Sequence, residues 1–235
     1  MKIEVLFPEL CNLYGDMGNV DYLKACTNAE ILYTSILETP RFPEGDVSLV
    51  YLGSMTERSQ ERILKKLAEY KDCIADLAKE KKTLFLLTGN ALELFCRKIH
   101  TDGGEDLQGL GLIPCDAHRI YPQRVNSLFC GKMGEMTVVG YTSRFSHLKG
   151  LQKENALFRA ERGLGAEPGC TYEGVRLPGI LGSYLLGPLL PMNPPFTEFL
   201  LKEIGVAEPR LAFKEAAMEA YQIRCEQYAN PKVEL

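Results

Sequence analysis

In the stretch "KKTLFLLTGNALELFCRK", residues 81–98, a buried strand runs through a tight turn directly into a helix, with Thr88 on the corner. In α/β enzymes such a corner often presents the nucleophile, held up by the strand end and facing the first amides of the next helix. Cysteine or serine here would point to covalent catalysis, whereas a threonine hydroxyl attacks only when an adjacent base removes its proton. The chain has three histidines, His100, His118 and His147. Cys96 and His100 stand four apart in the expected helix, which would put them on one face, where they could pair as thiolate and base. A mid-helix cysteine lacks the strained corner and the oxyanion donors, and a histidine near a helix end is more simply a dipole-stabilised cation. His147 forms a small basic cluster with Arg144 and Lys149 in "RFSHLKG", a segment that reads as a solvated loop and could hold an anion. Cys11, in "ELCNLYGD", is the best-placed alternative thiol.

The elements that must position these groups follow from hydrophobic patterning. Residues 3–7, 30–34, 47–53 and 83–88 are short, β-rich apolar runs, too continuous for strands with one wet face, so both faces are expected to be buried. Between them lie helical patterns over 19–29 and 57–81; in the second, Ile63, Leu64, Leu67, Ile74, Leu77 and Ala78 fall on one stripe. This alternation predicts right-handed βαβ units and a mostly parallel sheet. The middle, 101–178, is richer in Gly, Pro and polar residues but holds a strand at 136–142, and another is expected at 180–185. Helices are expected from Asn193 to a stop at Gly205 and over about 209–228. With no internal repeat, residues 1–235 read as one domain.

Composition narrows the function classes. The chain carries 27 Lys plus Arg against 31 Asp plus Glu, a net charge of -4, with no basic run or aromatic–basic interleaving to suggest nucleic acid. The N-terminus lacks a signal-peptide pattern, and the apolar "GILGSYLLGPLLPM" is broken by Gly182, Gly187 and Pro188, so a cytoplasmic protein with no membrane span is expected. Eight cysteines without a C-x-x-C pair suggest neither a zinc ribbon nor a disulfide framework. No metal motif, Walker loop or dinucleotide fingerprint is present, and the sequence predicts no cofactor.

In an open parallel sheet, ligands sit beyond the carboxyl ends of the strands, where loops from different units meet. That brings together "FPELCNLYGDMGN", "GSMTERSQ", "TGN" and "LLGPLLPMNPP". The segments "NLYGDMGNVDYLK", "VYLGSMTERSQERI", "LFLLTGNALELF" with "LQGLGLI", and "LGSYLLGPLLPMNPPFTEFLL" resemble, in order and spacing, the cobyric-acid-synthase-type class I glutamine amidotransferases. The nearest subgroup is the glutaminase subunit of the bacterial lipid II amidating enzyme, and the resemblance spans about residues 3–205. It implies a three-layer α/β/α, flavodoxin-like fold. It also implies a partner, because active members pass ammonia to a synthetase, in the nearest subgroup a Mur-ligase-like subunit that uses ATP.

The resemblance assigns site positions and shows two departures. The family's nucleophilic cysteine falls on Thr88, with Gly89 and Asn90 at the following glycines. The family's histidine base falls on Leu186 in "GSYLLGPLL". Asp16 matches an aspartate near the catalytic pair, though a carboxylate at a helix N-terminus explains it equally well. Gly53 matches the oxyanion turn, where Ser54 and Met55 replace further glycines. Arg124 falls near an arginine that holds the glutamine carboxylate, or is an exposed structural arginine; Tyr141 keeps an aromatic, and Arg144 replaces a histidine. Nucleophile and base act as one unit, so losing both implies that glutamine hydrolysis has been abandoned. A ligand-binding or partner-binding subunit is then expected. The alternatives are an enzyme of altered chemistry, in which Thr88 only hydrogen-bonds, or an active amidotransferase supplying ammonia to an ATP-dependent ligase.

Overall fold

A computed structural model describes residues 1–233. The apolar runs form β1 (Lys2–Leu6), β2 (Glu30–Thr34), β3 (Val47–Leu52) and β4 (Leu84–Thr88). Helix α1 (Met17–Cys26) follows β1, and α2 (Glu57–Ala68) and α3 (Lys71–Lys79) lie between β3 and β4. After the corner come α4 (Ala91–Phe95), β5 (Cys96–His100), β6 (Leu107–Gln108), β7 (Ile113–Arg119), β8 (Val125–Met133), β9 (Met136–Arg144) and β10 (Ser146–Lys149). The chain ends with β11 (Ala156–Arg162), β12 (Tyr172–Leu177), β13 (Ile180–Ser183), α5 (Leu189–Met192), α6 (Pro194–Glu203) and α7 (Lys214–Ala229).

Nine strands build the central sheet in the order β2-β1-β3-β4-β13-β12-β11-β8-β9. The five strands from β2 to β13 pair in parallel, and the remaining pairings are antiparallel. The sheet is therefore half parallel rather than mostly so, because the Gly- and Pro-rich middle contributes hairpin-linked strands where crossover helices were absent from the pattern. Period-two alternation divides the core into two layers. Leu49, Tyr51, Leu84 and Leu86 face the apolar layer formed with Val20, Leu23, Phe196 and Leu200 of α1 and α6. Val50, Leu52, Phe85 and Leu87 face Ile63, Leu67, Ile74 and Leu92 of α2, α3 and α4. The fold is a three-layer α/β/α sandwich.

Two expected helices are corrected. The stripe over 57–81 is buried throughout, yet the helix breaks at Glu69–Tyr70, where Tyr70 turns inward and packs edge-on against Phe42, ring centroids 5.7 Å apart. The helix after the corner lasts only five residues. The amides of Gly109, Leu110, Gly111 and Leu112 take the carbonyls of Arg97, Leu94, Cys96 and Phe95 at 2.8–2.9 Å, diverting them from helical partners. Gly109 permits this approach, since a Cβ there would lie 2.1 Å from the Cys96 carbonyl oxygen. A bulge between Cys96 and Lys98 leaves Cys96 and Ile99 both buried, a three-residue spacing that imitates a helix.

A second sheet, β10-β7-β5-β6, covers this region. It aligns the three histidines in one cross-strand row: His100 opposite His118, and His118 opposite His147. The rings of His100 and His118 lie 4.2 Å apart, and His100 Nδ1 contacts Asp106 at 2.8 Å.

Candidate functional site

The carboxyl ends of β1, β3, β4 and β13 meet as expected, and the corner residue sits between them. Thr88 shares the parity of Leu84 and Leu86, so its side chain points into the α1 layer and is 1% exposed. Its hydroxyl donates to Asp16 Oδ1 at 3.0 Å. The Tyr51 hydroxyl lies 2.8 Å from that of Thr88, donates to the Asp16 carbonyl at 3.2 Å, and accepts from Asn19 Nδ2 at 2.9 Å. Burial, and then the Asp16 charge, push the Tyr51 phenol well up, which keeps it protonated as a donor. The result is a buried network of Asn19, Tyr51, Thr88 and Asp16, in which Tyr51 and Thr88 both reach Asp16.

Asp16 stands at the N-cap of α1 without capping that helix. Its carboxylate instead crosses to the turn after β3, accepting from the Ser54 amide at 3.1 Å and from the Ser54 hydroxyl. It also accepts from the Tyr14 amide at 3.2 Å. Gly53 is required by close approach: a Cβ there would meet the Cys11 carbonyl oxygen at 2.4 Å and Asp16 Cβ at 2.7 Å. The next amide in the turn, Met55, donates to Asn90 Oδ1 at 2.9 Å, and Asn90 Nδ2 returns a bond to the Met55 carbonyl at 2.8 Å. The Ser54 and Met55 amides are thus taken by the chain's own side chains.

Leu186 is 3% exposed, and its amide donates to the Tyr141 carbonyl at 2.8 Å. A methyl of Leu186 reaches 3.2 Å from where a Cβ on Gly89 would stand. Tyr141 thus contributes its backbone, while its phenol turns outward to Asn126 at 3.4 Å. Above lies a cavity of ≈ 210 Å³ whose lining includes Ser54, Gly89, Asn90, Arg124, Arg144 and Leu186. Thr88 and Asp16 lie beneath it and are not part of its wall. Arg124 is exposed, with its guanidinium 4.6 Å above the Phe145 ring.

The alternative thiols do not reach this cavity. Cys11 is 2% exposed, and burial followed by the Asp16 charge raises its thiol far above the thiolate range. Cys96 and His100 occupy a bulged strand rather than one helix face, and burial likewise raises the Cys96 thiol. The segment read as a solvated loop is mostly strand, with Arg144 only 5% exposed at the end of β9 and Lys149 outside. Two buried acids bonded to Tyr184, which lines the cavity, escaped the sequence reading. Glu93 accepts from Tyr184 Oη at 3.0 Å and Gln60 Nε2 at 2.8 Å, and Glu173 accepts from Ser183 Oγ at 2.7 Å and the Tyr184 amide at 2.8 Å. Burial raises both. Their only signal in sequence was a lone Glu within an apolar run, "ALELF" or "CTYEGV". Among the described residues, no cluster of three His, Cys, Asp or Glu side chains could hold a metal, and no helix is long and apolar enough to cross a membrane.

This arrangement of sheet, corner and loops is the glutamine amidotransferase fold. A solved glutamine amidotransferase covers 87% of this chain and 99% of its own at a TM-score of 0.59 and 18% identity. A second, from Thermotoga maritima, covers 96% of this chain and 94% of its own at 0.53 and 14%, and PurLQS from the same organism covers 95% and 98% at 0.55 and 11%. In sequence the chain is similar to the GatD subunit of lipid II isoglutaminyl synthase (glutamine-hydrolyzing) from Staphylococcus aureus, 24% identical over 220 residues, which cover 90% of this chain and 89% of that one. No family model matches. These likenesses bear out the resemblance to class I glutamine amidotransferases and to the lipid II glutaminase subunit.

Proposed function

We propose that this chain is a glutamine amidotransferase-like subunit that has lost glutamine hydrolysis and retains the cavity for a ligand and a face for a partner. The observation that carries the reading is the engagement of Thr88. A nucleophile needs a free lone pair facing substrate and a base to take its proton. The Thr88 hydroxyl instead is buried and hydrogen-bonded to both Asp16 and Tyr51, with Leu186 rather than a base across the corner. The oxyanion turn adds support, because a developing oxyanion needs uncommitted donors and the Ser54 and Met55 amides are already bonded to Asp16 and Asn90.

For the partner, the reading follows the relative, which is named as a subunit of a synthase. An ATP-dependent ligase of the Mur type, or another synthetase, is the partner class we assign, supplied with ammonia from solution rather than from this chain. Leu13 in the cavity wall is 49% exposed, and Tyr121, whose ring is tilted against Phe145 at 5.5 Å, is 63% exposed, which gives the rim apolar surface suited to docking. The reading assigns the cytoplasm, where a ligase using ATP would act. The test is ammonia release from glutamine by the purified chain, together with labelling by a glutamine-like diazo-ketone. Both are expected to be negative, and steady turnover would overturn the proposal.

A further inference from the structure

The cavity contains a buried cation that makes no ion pair among the described residues. Arg144 is 5% exposed and lines the cavity. One of its terminal nitrogens, Nη2, donates to the carbonyls of Gly165 and Ala166 at 2.6 and 3.1 Å, and the guanidinium lies 4.1 Å over the Tyr184 ring. Its Nε and Nη1 are buried without any hydrogen-bond partner, leaving three N–H bonds unused. None of the ion pairs among the described residues includes it. The nearby buried acids do not reach its free nitrogens: Glu173 accepts from Ser183 and Tyr184, and Glu93 from Gln60 and Tyr184. A guanidinium withdrawn from water with unused donors is costly unless an anion completes it.

A second guanidinium, Arg124, lines the same cavity, with Glu57 as its one acidic lining residue. From these observations we infer that the cavity is a site for a small dicarboxylate, with one carboxylate on Arg144 in the interior and the other on Arg124 at the rim. The inference rests on the loss of glutaminase activity proposed above and names the ligand class of that cavity. A carboxylate accepts from several N–H groups and neutralises the charge, whereas a carboxamide does only the first and brings two N–H donors toward a cation. The site therefore selects acids over their amides. About 210 Å³ admits a molecule of roughly ten non-hydrogen atoms.

The experiment titrates the full chain calorimetrically with glutarate, L-glutamate, L-glutamine and inorganic phosphate, in parallel with the ammonia assay. We expect one saturable site for glutarate or L-glutamate, with glutamine at least tenfold weaker and phosphate not competing. Arg144→Gln and Arg124→Gln should each weaken the acid at least tenfold. Arg144→Gln should also erase the preference for acid over amide, a change that mere loss of packing would not produce. If Arg144→Gln fails to fold, Arg124→Gln and the wild-type acid-to-amide ratio still decide. Absence of saturable acid binding, or equal binding of glutamine or phosphate, overturns the inference while a negative ammonia assay leaves the proposed function standing. Ammonia release overturns the proposed function instead.

Discussion

The Asn90 carboxamide and the Met55 backbone bond each other twice, at 2.9 and 2.8 Å, closing the turn after β3 against the corner after β4. A glutaminase would need the donors of this turn facing a substrate oxygen. Here the turn and the corner form a clasp.

The clasp predicts the outcome of the obvious reconstruction. Thr88→Cys combined with Leu186→His restores the two reacting residue types, yet the side chain at 88 still points toward Tyr51 and the turn amides stay occupied. The double variant is expected to release no ammonia and to take no diazo-ketone label. Label on the new thiol, detected by mass spectrometry, would mean that the clasp opens.

Thr88→Val keeps shape and removes the hydroxyl, leaving Asp16 without one donor and Tyr51 without one of its partners. A buried polar group left unpaired costs about 1–3 kcal/mol, so the variant should lose that much in urea unfolding. Thr88→Ser, which keeps the hydroxyl, should lose less.

Gly53→Ala drives a methyl against the Cys11 carbonyl and Asp16. Since both neighbours belong to the hydrogen-bonded corner, a loss of about 1–3 kcal/mol is expected, read as a lower thermal midpoint.

Burial raises the Glu93 carboxyl above its ordinary value of 4.5. The folded chain then holds this proton more tightly than the unfolded one, so its contribution favours folding at low pH and is lost as pH rises above 4.5. Glu93→Gln removes that linkage. The stability of the variant relative to wild type should grow from pH 4.5 toward neutrality, as measured by urea unfolding across that range; a difference that does not change with pH would refute the assignment.

The parallel half of the fold was legible because strands buried on both faces print continuous apolar runs, as in "TLFLLT", and the four loops at their ends carried the corner, Asp16 and Leu186 in recognisable order. Even the inward direction of Thr88 follows from parity with Leu84 and Leu86 once the layers are known. The small sheet was not legible, because it depends on amides of residues 109–112 taking carbonyls that a helix would otherwise use. Arg144 was placed in a solvated loop for a similar reason. An arginine in a polar segment shows nothing locally of the Tyr184 ring or the Gly165 carbonyl that bury it.

The network from Asn19 to Asp16 crosses from α1 to β3, to β4, and back to the loop before α1. Asn19 Oδ1 also accepts from the Leu190 amide at 2.8 Å, adding α5. Ligand-binding loops and active-site lids are drawn from the parts of a fold that open most readily. Here the corner joins elements from different parts of the chain, so its amides should exchange hydrogen with solvent only when the whole domain unfolds. The corner should be one of the last parts of the fold to come apart.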